Sequence, residues 1–293
     1  MNNGGLDVVT GLGGTRLNDL IVLPEYVEDL KKHGLASLDA LFAMRDAESL
    51  HKPGLEGWRE RLRLSFESGG RQQVFYLKRF TRPPLKVRRE VRLAGGVARS
   101  VAGMEFEWSR RLAADNLPAV EAIAFGAAFR GRREIRSAVL LAEVRGESLE
   151  QWCARLRSCV SATDRATAKA LLAESASLTA RFHGRGYVHR DLYLAHIFFD
   201  ESSSAPPRLK LIDLQRVRRP KWRLLRWIVK DLAALDYSAP ATHVSRTDRL
   251  RWLTRYLREA NLDAGRRALA YRIAGKSLAM ARHDRRRLAR AKG

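Results

Sequence analysis

Tyr187-Val188-His189-Arg190-Asp191-Leu192, followed downstream by Leu211-Ile212-Asp213-Leu214, decides the reading of this chain. The first segment follows a stretch in which Leu171, Leu178 and Phe182 recur at helical spacing. Thr163 is the expected cap of that helix, and Gly184 and Gly186 are its expected end. Two short β-like runs come next, Ile197–Phe199 and Leu209–Ile212, and Asp213 stands 22 residues after Asp191. Two acidic side chains on successive loops, each beside a short strand, are spaced as they must be if both carboxylates point into one cleft. The plain alternative is a pair of salt-bridged turn residues.

Outward from this block the chain changes character at Gly146. Ahead of it, Leu62, Leu64 and Phe66 alternate with Arg61, Arg63 and Ser65, a period of two that reads as a strand. Glu67-Ser68-Gly69-Gly70-Arg71 is a turn, and Val74 to Phe80 is the returning strand. Residues 87–114 read as helix, interrupted near Gly95-Gly96 and Gly103. Two further strands are expected at Val120–Ala128 and Ala138–Val144, with a turn at Gly131. Behind Gly146 helices dominate, beginning with one that Ser148 can cap. The organisation expected is α+β and bilobal: residues 1–57 an N-terminal extension with short helices from Leu20 on, 58–145 a small β-rich lobe with one regulatory helix, 146–293 a helical lobe.

Composition narrows the function classes. The 293 residues hold 55 Lys and Arg against 32 Asp and Glu, a formal charge of +23. Such a charge favours polyanions: nucleic acid, an anionic membrane surface, or phosphorylated small molecules. No zinc finger, RRM-like aromatic block or basic zipper is visible, so nucleic acid is not favoured. The two cysteines, Cys153 and Cys159, fit no metal motif and no disulfide framework, and read as reduced thiols. No apolar run reaches the roughly 18–20 residues needed to span a bilayer, and the first residues lack the pattern of a secretory signal. A cytoplasmic protein is expected.

The motif set of protein kinases gives these residues roles. The first Asp, here Asp191, accepts the proton of the substrate hydroxyl, with His189 and Arg190 completing its loop, and the second, here Asp213, holds the metal that bridges nucleotide phosphates. Lys78, closing the strand Val74-Phe75-Tyr76-Leu77-Lys78, suits the lysine that neutralises phosphates, whereas Arg79 points to the other face. Glu90, Glu105 and Glu107 compete as the helix carboxylate paired with that lysine.

The segment Tyr187–Asp200, with Leu209–Gln215 and Lys230-Asp231-Leu232, resembles the lipopolysaccharide core kinases, the heptose and Kdo kinase family, whose fold is protein-kinase-like. His196 stands where protein kinases carry Asn, Ile212-Asp213-Leu214 replaces Asp-Phe-Gly, and Glu107-Trp108 matches a Glu-Trp pair of the regulatory helix, which selects Glu107 over its rivals. The resemblance runs over roughly residues 58–240. It implies ATP-dependent phosphorylation of a sugar hydroxyl on the lipopolysaccharide inner core, at the cytoplasmic face of the inner membrane. It also implies ATP and Mg²⁺ as cofactors, with Asp213 and His196 as metal ligands and Lys78, Glu107, Gly69, Gly70 and Glu143 around the nucleotide. Two departures qualify it. There is no GxGxxG, only Gly69-Gly70, with Arg71 beside it as a helper. An imidazole is an awkward ligand for Mg²⁺, so His196 binds through water, orients Asp213, or favours Mn²⁺, the plain alternative being a purely structural side chain.

Only 17 residues separate Asp213 from Asp231, too few for a peptide-docking activation segment, which argues for a glycolipid or small-molecule acceptor. Asp231 resembles the kinase Asp that braces the catalytic loop, the alternative being an exposed helix charge. Residues 208–230 hold nine Lys or Arg with Trp222, Leu224, Leu225, Trp227 and Ile228 interleaved. This stretch suits peripheral contact with an anionic membrane or the phosphates of a lipid A-like acceptor; its plain reading is a core stripe under a solvated face. A kinase for another small molecule or a protein, and a basic nucleic-acid-binding protein on an inactive kinase scaffold, are the competing readings.

Overall fold

Thr15–Leu17 (β1) and Leu20–Val22 (β2) form a short antiparallel hairpin, not the start of a helix. Leu20, Ile21 and Val22 are buried on both faces, because β2 pairs with a strand from much later in the chain and its main chain is satisfied there. Two short helices follow as the sequence suggests, Val27–Lys32 (α1) and Leu38–Ala43 (α2), the second capped by Ser37, whose Oγ accepts from the Ala40 N–H at 3.1 Å. Glu48–Ser49 (β3), Arg59–Ser68 (β4) and Arg71–Thr81 (β5) come next, then helices Leu85–Leu93 (α3) and Val101–Ala114 (α4), and the hairpin Ala122–Arg130 (β6) and Arg133–Ala142 (β7). In the computed structural model the described residues are 13–45, 47–50, 57–94, 98–155, 161–202, 209–260 and 265–292. Cys159, the Gly95-Gly96 interruption and Arg208 lie outside them.

The chain divides into two units, Met1–Val144 with Asp213–Gln215, and Arg145–Ile212 with Arg216–Gly293. In the first, seven antiparallel strands are ordered β1-β2-β6-β7-β5-β4-β3. Residues 15–17 and 48–49 are therefore the edge strands of this sheet, with 20–22 between β1 and β6, so this part of the chain joins the sheet. The β4–β5 hairpin turns on Gly69 and Gly70, at φ +58° and +73°, the mirror-image turn that suits a two-residue hairpin connection and that side chains other than Gly, Asn or Asp resist. Its register sets Arg61 opposite Lys78.

Helix α4 packs on β6 and β7 and is buried around most of its circumference: Val101, Ala102, Met104, Phe106, Trp108 and Leu112 join the core. Gly103 does not interrupt it. A Cβ there would stand 2.7 Å from that of Ala98 and 3.0 Å from the Phe125 ring, so the glycine is what lets the helix start lie so close to the sheet.

The second unit holds Glu147–Ser148 (β8), helices Leu149–Arg155 (α5) and Ala162–Gly184 (α6), strands Ile197–Phe199 (β9) and Leu209–Leu211 (β10), and helices Leu224–Ser238 (α7), Arg246–Ala260 (α8) and Arg266–Lys292 (α9). The cap of α6 is Ser161, not Thr163: its hydroxyl accepts from the Asp164 N–H while the Asp164 carboxylate accepts from the Ser161 N–H, a reciprocal pair Thr163 could not make. Ser148 caps α5 as read, accepting from the Gln151 N–H at 3.1 Å. The three short strands form an antiparallel sheet ordered β10-β9-β8. The core of this unit runs from Ala176 and Ala180 on α6 through Ile228, Leu232 and Ala233 on α7 to Leu253 and Tyr256 on α8; the alanines let helices approach and the larger side chains fill the space left. Cys153 is buried, and burial pushes its thiol up to about 11, so it stays protonated and unreactive near neutrality.

Candidate active site

In the β-rich unit, Lys78 sits eight residues into β5, almost fully buried, where strand alternation turns it away from Arg79. Arg79 is spent on the other face, donating to the carbonyls of Leu41 and Met44 and to Glu60. The Lys78 ammonium donates to Glu105 Oε1 at 2.7 Å and to Asp213 Oδ1 at 3.1 Å. Burial works against its charge, but the Asp213 and Glu105 carboxylates outweigh it and its pKa is raised, so Lys78 is a fixed cation. Gln215 donates to Asp213 Oδ1 at 3.0 Å, and the Arg61 guanidinium lies 4.0 Å from Asp213 Oδ2.

The helix partner of Lys78 is thus Glu105 and not Glu107. Residues two apart on a helix face nearly opposite ways, so only one of them can look at β5. Glu107, also fully buried, accepts the Ala98 N–H at 2.9 Å and pairs with Arg111, which ties down the backbone leading into α4. If Lys78 meets nucleotide phosphates as the sequence reading expects, Glu105→Gln raises the KM for ATP roughly tenfold by loosening a charge-assisted bond of about 1.5–3 kcal/mol, whereas Glu107→Gln is expected to lower the unfolding midpoint with little effect on that KM. Nucleotide titrations and thermal melts of the two variants check this.

Gly69 and Gly70 do not join Lys78. Lys78 is eight residue steps along β5 from Gly70, about 26 Å at roughly 3.3 Å per residue, farther than one nucleotide's phosphates extend. These glycines make a turn at the far end of the hairpin. Glu143 lies just beyond β7, half-buried, its N–H donating to the Val74 carbonyl at 3.1 Å.

In the helical unit the His189-Arg190-Asp191 loop is held from below by α7. Asp231, fully buried, accepts the N–H of His189 at 2.6 Å and that of Arg190 at 2.7 Å. It is a brace and not an exposed helix charge. His183 supports it from α6, with Nε2 3.4 Å from Asp231 and Nδ1 2.9 Å from the Tyr256 hydroxyl. Arg190 sits at φ +72°, a left-handed conformation that costs a non-glycine residue about 1 kcal/mol or more and persists because Asp231 holds its N–H and that of His189 while Lys230 donates to its carbonyl. Its guanidinium stacks over Trp227 at 5.2 Å. His189 contributes through Nε2, bonded at 2.9 Å to the carbonyl of Ile212, the residue before Asp213. Asp213 is itself left-handed, at φ +59°.

The Asp191 carboxylate faces Arg216, whose Nη1 donates to its two oxygens at 2.9 and 2.8 Å, and Lys230, whose Nζ is 3.9 Å away and donates to the Arg190 carbonyl. Neither cation stood out in the sequence, where both belong to the basic run 208–230. His196 donates from Nδ1 to the Asp191 carbonyl at 2.7 Å and stacks on His189. In the neutral ring the acceptor lone pair is then on Nε2. Among the described residues, no three His, Cys, Asp or Glu side chains form a ready-made metal cage. Mg²⁺ in phosphoryl-transfer sites is held by one or two carboxylates plus phosphate oxygens and water, and the hard oxygens of Asp213 suit that arrangement.

Around the basic run, Ile228 is core and Trp227 half-buried, whereas Trp222 is 83% exposed and Leu225 also reaches solvent. No helix among the described residues is long and apolar enough to cross a membrane.

A sheet unit with a buried Lys–Glu pair, and a helical unit whose strained His-Arg-Asp loop hangs on a helix aspartate, define the α+β protein-kinase-like fold. Sequence and structure comparisons agree. The chain belongs to the lipopolysaccharide kinase (Kdo/WaaP) family, whose model matches residues 58–256. The lipopolysaccharide core heptose(I) kinase WaaP of Pseudomonas aeruginosa is 39% identical over 93 residues, 31% of this chain, and the match spans 35% of that protein's length. A solved structure of WaaP in complex with acyl carrier protein superposes with a TM-score of 0.64 at 23% identity, covering 91% of this chain and 98% of that one.

Proposed function

We propose that this chain is an ATP-dependent kinase that phosphorylates a sugar hydroxyl of the lipopolysaccharide inner core. The observation that carries the proposal is the clamped loop: Asp231 fixes the His189 and Arg190 amides and so sets the backbone from which Asp191 projects. In this reading Asp191 accepts the proton of the attacking hydroxyl. Lys78, held by Glu105, neutralises nucleotide phosphates, and Asp213 holds Mg²⁺, with His196 as a second ligand through water or for Mn²⁺. When bound, the metal would draw charge off the phosphates. His189 acts by fixing the chain ahead of Asp213, and Arg216 by orienting the Asp191 carboxylate until the acceptor arrives.

The heptose(I) kinase relative favours heptose over Kdo as the acceptor sugar. The exposed Trp222, flanked by Lys221 and Arg223, supports peripheral contact with an anionic membrane, where an indole sits at headgroup level and nearby cations add about 1 kcal/mol each. The test is ATP turnover against purified inner-core lipopolysaccharide, its heptose and Kdo fragments, and unrelated polyols, read by mass spectrometry. A gain of about 80 Da, one phosphoryl group, on a heptose fragment is expected. Phosphorylation of unrelated polyols alone would refute the acceptor assignment.

A further inference from the structure

Helices α7 and α9 border an open cavity of about 180 Å³ lined by Arg226, Trp227, Val229, Lys230, Arg272 and Lys276. That is room for well over a single water molecule. Arg226 and Lys230 are one turn apart on α7, and Arg272 and Lys276 are one turn apart on α9, so each pair lies on one helix face. The stems of these four basic residues share a mostly apolar wall with Trp227 and Val229, and among the described residues no carboxylate lines it. Like charges one turn apart are mutually destabilising, the more so where a second such pair faces them. Burial, with Arg216 and Arg190 nearby, also works against the Lys230 ammonium and lowers its pKa, though Asp191 offsets part of this. An arrangement of this kind is relieved by an oxyanion.

The position of the cavity says which one. Lys230 lines it and also touches the catalytic loop, donating to the Arg190 carbonyl and lying 3.9 Å from Asp191; Trp227, in its wall, carries the Arg190 guanidinium. A group bound there is one side chain away from the carboxylate assigned as base. We infer that this cavity is a subsite for a phosphate group already present on the acceptor, which Arg226, Lys230, Arg272 and Lys276 grip so that a neighbouring hydroxyl is presented to Asp191. The inference rests on the kinase reading above and adds the acceptor's charge to it. Guanidinium groups suit the task because they fork phosphate oxygens in a bidentate way.

The test uses the full chain and the double variant Arg272→Ala/Lys276→Ala, whose side chains are exposed on α9 and whose loss leaves the fold intact, as circular dichroism would verify. Kinetics are measured with a phosphorylated inner-core fragment and with the same fragment after phosphatase treatment. The variant is expected to raise the KM for the phosphorylated fragment about tenfold, to leave the KM for ATP unmoved, and to abolish the preference for the phosphorylated form. An equal rise for both fragments, or none, overturns the subsite. Ligand-observed NMR with inorganic phosphate and with both fragments, on the parent chain and the variant, separates the two proposals. Loss of phosphate-dependent binding in the variant upholds the subsite even if no fragment is turned over, in which case the kinase reading falls alone. Loss of binding to phosphatidylglycerol vesicles in the variant, with fragment binding and kinetics unchanged, assigns the cavity to lipid headgroups and overturns the acceptor assignment.

Discussion

Asp191→Asn is expected to slow ATP-dependent phosphoryl transfer by about 10²–10⁴-fold, with the thermal unfolding midpoint within roughly 2 °C of the parent chain. The substitution keeps the shape of the side chain and its place on the clamped loop, but an amide cannot take up the proton of a hydroxyl. Stability should hold because the contacts it weakens, those with Arg216 and Lys230, are partly solvent-exposed, and such ion pairs contribute about 1 kcal/mol or less. The rate is read in a coupled ADP assay and the midpoint by circular dichroism. Near-parental turnover would remove Asp191 from the role of base. A large fall in the midpoint would mean that the residue serves structure first.

Asp231→Ala should do the reverse: destabilise first and, as a consequence, inactivate. It leaves the N–H groups of His189 and Arg190 buried without the carboxylate that accepted them, and each such group costs about 1–3 kcal/mol. His183 loses its neighbour as well. A loss of about 3 kcal/mol or more is expected, seen as a lower urea midpoint at unchanged m-value, or as a fall of roughly 6–12 °C in the melting of the helical unit. Activity should fall even where the chain remains folded, because the left-handed Arg190 at φ +72° loses the carboxylate that holds its N–H and that of His189. A variant that melted like the parent and turned over normally would show that the loop keeps its shape without the brace, and the central observation of the proposed function would lose its force.

Much of the site can be read from the sequence once the right local rule is applied. The Gly69-Gly70 turn makes Ser68 and Arg71 partners, and counting back along the hairpin brings Arg61 opposite Lys78. Arg61 near Asp213 was therefore within reach of a register argument. The strand carrying Lys78, the outward turn of Arg79, and the two short strands that follow the His-Arg-Asp block are all consequences of period and spacing. The choice between Glu105 and Glu107 was not legible locally, because both are buried on one helix and only the direction in which β5 lies distinguishes them. Gly69-Gly70 turn up at the far end of the hairpin from Lys78 for a related reason: a glycine pair signals a tight turn and says nothing of what lies beside it.

Arg216 and Lys230 were hidden in a different way. In a run with nine basic residues no local feature marks the two that reach Asp191, and the long flexible side chains of Arg and Lys take their direction from whatever carboxylate or carbonyl the fold presents. The strand at Leu20–Val22 was misread because three apolar residues have no period of their own; pairing with β6, a hundred residues later, made them a strand. What the linear chain settles here is the catalogue of chemical groups and the local elements that bear them, since turns, caps and alternation act over a few residues. Which carboxylate meets which amine, and which helix charge becomes a buried brace, is decided by long-range contact, because burial makes an unpaired polar group too unfavourable to tolerate and so selects a single set of partners.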